Sequence, residues 1–90
     1  MIPKRILIVD DEENFRHMLS VILIKEGYEV ETASNGEEGL QKAALSPFDQ
    51  ILCDIRMPRM DGLEFLREIK KAGAEASIIM MSAMGQWISP

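Results

Sequence analysis

The sequence holds a single cysteine, Cys53, among its 90 residues. No internal disulfide can form, which fits a reducing compartment. Clustered bases are missing as well. Ten Lys and Arg are scattered against fifteen Asp and Glu, giving a net charge of −5. Binding to a phosphate backbone needs grouped cations, so direct nucleic-acid binding by this chain is not expected. Long apolar runs are absent too. The bases in Met1–Arg5 precede only Ile6–Val9 and then two aspartates, too short for a signal h-region or a membrane span. A cytoplasmic chain without membrane contact is the expectation. No repeat, linker or low-complexity tract divides the chain, and its length suits one domain around one core.

What is present alternates in period. Ile6–Val9 is a short β-branched run, the pattern of a strand buried on both faces. Phe15, Met18, Leu19, Ile22 and Leu23 then fall on one helical stripe, and Gly27 supplies a left-handed stop. Residues 29–33 read as a weaker strand whose polar content suits a sheet edge. Asn35 and Glu38 approximate a capping box for a second helix carrying Leu40, Ala43 and Ala44. Ser46-Pro47 ends that helix, and a third strand from Gln50 to Cys53 terminates at Asp54. After a loop from Ile55 to Met60, Asp61 and Glu64 frame a third helix with Leu63, Leu66 and Ile69 inward and Gly73 at its close. Ser77–Met81 is a fourth apolar strand ending at Ser82, and Ala83–Pro90 has no clear period.

Strands alternating with helices predict an α/β fold, a doubly wound parallel sheet of order 2-1-3-4. Ligands of such sheets bind beyond the carboxyl ends of the strands, where the winding reverses. Here that point lies between the first and third strands, which end in Asp10-Asp11 and in Asp54. Three carboxylates in one crevice repel one another unless a cation joins them or their pKa values rise. Oxygen-only ligands in a partly solvated site suit Mg²⁺. Aspartate is also a covalent nucleophile in phosphoryl transfer, a reaction governed by positioning and charge stabilisation. Ser82, at the end of the neighbouring strand, is placed to offer a hydroxyl to a phosphoryl oxygen.

Three blocks carry a resemblance: Ile6 to Glu12, Asp54 to Gly62, and Met81-Ser82-Ala83. Their residues, order and spacing are similar to the signature blocks of response-regulator receiver domains, with the likeness running from Ile2 to about Gly85. The resemblance implies a flavodoxin-like fold in which Asp54 takes a phosphoryl group from the phosphohistidine of a sensor histidine kinase. It implies Mg²⁺ held by Asp10, Asp11, Asp54 and the backbone carbonyl of Arg56. Ser82 takes the place of the switch hydroxyl, Met57-Pro58 and Asp61-Gly62 shape the loop over the site, and Arg56 and Met84 match variable positions that tune phosphoryl lifetime. Such a chain is a phosphoacceptor of a two-component phosphorelay, not a turnover enzyme. The family pattern continues past Ser82 with a helix, a fifth strand bearing a lysine, and a final helix. The expectation is a receiver over residues 1–90, incomplete at its C-terminus and lacking the fifth strand and the last two helices.

Plainer roles stand beside these. Asp61 reads as a helix cap; Asp11 could cap the first helix, though Asp10 beside it favours a metal role. Cys53 alternates away from Asp54 and belongs in the core, His17 lies off the apolar stripe on a solvated face, and Trp87 is an anchor candidate. A phosphomonoester hydrolase is disfavoured because Arg56, not an acid, stands two residues after Asp54. The main rival is an interaction module without efficient phosphorylation. A fourth strand left as an open, apolar edge is a template for pairing, so a homo-oligomer through that edge or the tail is expected.

Overall fold

The computed structural model describes residues 4–54, 62–71, 77–81 and 87–88. Its elements run β1 (Arg5–Val9), α1 (Glu13–Lys25), β2 (Glu29–Ala33), α2 (Gly36–Leu45), β3 (Gln50–Asp54), α3 (Gly62–Lys71), β4 (Ser77–Met81) and β5 (Trp87–Ile88). The sheet order is β2-β1-β3-β4-β5, with the first four strands parallel and β5 antiparallel to β4. This is the doubly wound 2-1-3-4 arrangement read from the periodicity. β1 and β3 lie in register, Val9 opposite Cys53, so the two strands end side by side.

Strand alternation splits the core into two. Leu7, Val9, Ile51 and Cys53 face α2 and α3 and pack with Phe48, Phe65 and Ile69. Ile6, Ile8 and Leu52 face the other way and meet Phe15, Leu19 and Leu23 of α1 with Tyr28 and Val30. On α1 only the i, i+4, i+8 row reaches the sheet. Met18 and Ile22, on the neighbouring row, remain 51% and 50% exposed. On α3 the inward face differs from the expected one. Phe65 and Ile69 are fully buried and Leu66 packs beside them, whereas Leu63 is 57% exposed. At about 100° per residue, Leu63 and Ile69 stand roughly 120° apart and cannot share one buried face. Likewise Ala44 is exposed on α2, and Gly39 takes the buried place.

The ends of the helices are set locally. Gly27 adopts φ +97° after the α1 C-cap, as its stop role requires. Asn35 caps α2 by accepting from the Glu38 N–H at 2.8 Å. Glu38 reaches back not to Asn35 but to Ser34, accepting from its N–H and its hydroxyl, both at 2.8 Å. These bonds, led by the backbone N–H of Ser34, hold the Glu38 carboxyl below its ordinary pKa.

At the opening end of the sheet Arg5 ties three segments together. Its guanidinium pairs with Glu29 and Glu31 of β2, donates to the Pro47 carbonyl at 2.8 Å, and lies 4.7 Å from the Phe48 ring centroid. The Asp49 carboxylate accepts from the Arg5 N–H at 2.8 Å.

The expectation of a fully open β4 edge is corrected at one end. Met81 and Met80 pair with Trp87 and Ile88 of the same chain, because unpaired strand-edge N–H and C=O groups favour any strand within reach. Trp87 and Ile88 therefore form a short antiparallel strand, and it pairs within its own chain. Ser77–Ile79 have no partner on that side among the described residues.

Candidate metal and phosphoacceptor site

β1 stops at Val9, and Asp10 follows with its N–H still donating to the Ala33 carbonyl of β2 at 3.1 Å. The chain then turns sharply. The Asp10 carboxylate accepts from the Glu12 N–H at 2.8 Å through Oδ1, an Asx-type turn that bends the backbone out of the sheet. Glu12, not Asp11, is the N-cap of α1, accepting from the Asn14 N–H at 3.1 Å. Asp11 is thereby released from capping, and its exposed carboxylate is free to join its neighbours.

From β3, Asp54 arrives at the same edge. Asp10, Asp11 and Asp54 each offer a carboxylate oxygen, and the three oxygens lie within 4.8 Å of one another. Asp10 is buried, Asp54 half-buried and Asp11 exposed. Burial raises the pKa of Asp10, and the charges of Asp54 and Asp11 push it the same way. The Glu12 N–H and the Arg16 guanidinium pull against that rise. An all-oxygen set of three carboxylates, one exposed and one half-buried, fits a hard divalent ion such as Mg²⁺ that keeps part of its water shell. Glu12 at the cap and Arg16, which donates to the Asp10 carbonyl at 2.7 Å, were not read from the sequence as parts of the site.

The two other anticipated site residues, Arg56 and Ser82, lie outside the described residues, as do the loop Ile55–Met60, Asp61, Gly73 and Met84. Cys53 is fully buried in the core, facing away from the acidic edge, and His17 is exposed on α1.

The family model of the response regulator receiver domain matches residues 6–88. The chain belongs to that family, the receiver domain of two-component systems. It is 49% identical over 83 residues to chemotaxis protein CheY of Bacillus subtilis, covering 91% of this chain and 69% of that protein. It is 40% identical to the alkaline phosphatase synthesis transcriptional regulatory protein PhoP of the same organism, covering 89% of this chain but 33% of PhoP. Among solved structures it resembles response regulator TrrA of Thermotoga maritima in complex with Mg²⁺-BeF, at 49% identity and a TM-score of 0.83, covering 89% of this chain and 70% of TrrA. Receiver domains bind Mg²⁺ at an acidic pocket, and response regulators in general partner with sensor histidine kinases. No helix among the described residues is long and apolar enough to cross a membrane.

Proposed function

We propose that this chain is a cytoplasmic phosphoacceptor in which Asp54 receives a phosphoryl group from the phosphohistidine of a sensor kinase. The convergence of Asp10, Asp11 and Asp54 at the carboxyl edge of the sheet carries the reading. Asp54 ends a strand packed between two others, so its carboxylate is held in place for attack on phosphorus rather than swinging on a loop. Asp10 and Asp11, with Asp54 and the Arg56 carbonyl, hold Mg²⁺. That ion supplies positive charge against the phosphoryl oxygens. Ser82 offers its hydroxyl to one of those oxygens. The chain accepts one phosphoryl group and does not turn over a substrate, and it contacts neither nucleic acid nor membrane by itself. The TrrA complex with Mg²⁺-BeF supports the metal assignment by likeness. Incubation with a small phosphodonor and Mg²⁺ followed by mass spectrometry tests the proposal. Wild type gains one acyl phosphate and Asp54→Ala gains none; equal labelling of both refutes it.

A second reading, self-association, draws on two observations. Ser77–Ile79 keep an edge without a partner among the described residues, and Met18 and Ile22 lie half exposed on α1. Sedimentation equilibrium over a wide concentration range tests it, and a monomer throughout rejects it.

A further inference from the structure

We infer that Arg16 is a positioning residue for the acidic site, holding the peptide that joins Asp10 to Asp11. The inference rests on the metal reading above and concerns what keeps the carboxylates converged. Past Val9 the backbone leaves the sheet, so the Asp10 carbonyl has no ladder partner among the described residues. Arg16, one turn into α1 and half-buried, supplies one: its Nη1–H donates to that carbonyl at 2.7 Å. The same residue's N–H donates to the Glu12 carbonyl at 3.0 Å, anchoring Arg16 to the start of the helix.

The Asp10 carbonyl and the Asp11 N–H belong to one planar peptide unit. Fixing that oxygen fixes the plane, and with it the direction in which the Asp11 Cα leaves. Asp10 is thus held at three points, its N–H by Ala33, its Oδ1 by the Glu12 N–H and its carbonyl by Arg16. Oδ2 is left without a donor among the described residues and is available to a cation. Two of the three carboxylates take their positions from this peptide.

Charge alone predicts the opposite behaviour. A guanidinium beside the cluster repels a divalent cation, so removing it at fixed geometry tightens binding. An anchoring role requires that removal weaken binding despite the lost repulsion. Partners of this indirect kind alter metal affinity by roughly 10–100-fold when lost.

The experiment is a Mg²⁺ titration followed by backbone amide shifts of Asp10, Asp11 and Asp54 in wild type, Arg16→Met and Arg16→Lys, with melting temperatures alongside. Expected for Arg16→Met is Mg²⁺ binding weakened about 10-fold, with part of the loss restored by lysine, and faster hydrogen exchange at the Glu12 N–H in metal-free protein. Unchanged or tighter binding in Arg16→Met, with the Glu12 N–H equally protected, overturns the inference and leaves the metal reading standing. Absence of any Mg²⁺-dependent shift in wild type overturns both. Should Arg16→Met not fold, the wild-type guanidinium decides: slow rotation about its Nε–Cζ bond is expected, and free rotation overturns the proposal.

Discussion

Replacing Gly39 by alanine tests how closely α2 is seated on the sheet. A Cβ built there lies 2.9 Å from Val9 Cγ2 and 2.9 Å from Phe65 Cε1. Ordinary carbon–carbon contacts are about 3.5–4.0 Å, so both neighbours must retreat by roughly 0.6 Å or more. Neither is a flexible tip at the surface: Val9 and Phe65 are fully buried. Overpacking a filled core costs about 1–3 kcal/mol. Alanine recovers about 0.8–1 kcal/mol of helix propensity over glycine. The balance is a loss of about 0–2 kcal/mol, which lowers the melting temperature of a domain this size by up to about 16 °C. Val9 immediately precedes Asp10, so its retreat also strains the metal edge, and Mg²⁺ affinity should fall together with stability. Thermal unfolding by circular dichroism, with and without Mg²⁺, reads both effects. A higher melting temperature for Gly39→Ala, the result that propensity alone predicts, refutes the close seating of α2.

Other outcomes follow from the same geometry. Asp10 has a raised pKa, so below the ordinary aspartate value its folded state carries no penalty, and stability of metal-free protein falls as pH climbs through the raised value. Asp10→Asn keeps an Oδ1 acceptor for the Glu12 N–H and removes the charge; urea titrations in chelator should show that fall reduced, while the Mg²⁺-dependent shifts disappear. Arg5→Ala cuts the tie among β1, β2 and the segment before β3 and should cost about 1–3 kcal/mol in denaturant unfolding. Labelling at Asp54 under stabilising conditions should persist in that variant, since Arg5 lies at the opposite end of β1. Asn35→Ala removes the α2 cap and should cost about 1 kcal/mol by the same measurement.

Much of this protein is local in origin and therefore legible in the chain. The short β-branched run Ile6–Val9, the stripe on α1, the stop at Gly27 and the alternation of strand and helix are set by nearest-neighbour geometry, and with right-handed crossovers they narrow the fold to a few parallel sheets, of which the order 2-1-3-4 is one. That order brings Asp10, Asp11 and Asp54 to one edge, which is why the convergence of these acids is legible in the chain. The rest depended on distances between segments remote in sequence. Capping preference alone favours Asp11 over Glu12, and it is the Asx-type turn at Asp10 that hands the cap to Glu12 and leaves the Asp11 carboxylate for the site. The inward face of α3 is decided by Phe65 meeting Val9's neighbourhood across Gly39, a fit that periodicity cannot distinguish from the Leu63 row. The hold of Arg16 on the Asp10 carbonyl had no periodic signal, because a guanidinium six residues on finds that oxygen only after the strand has ended and the helix has turned back over it. Hydrophobic period determined the layers; only tertiary contact decided which polar groups meet at their edge.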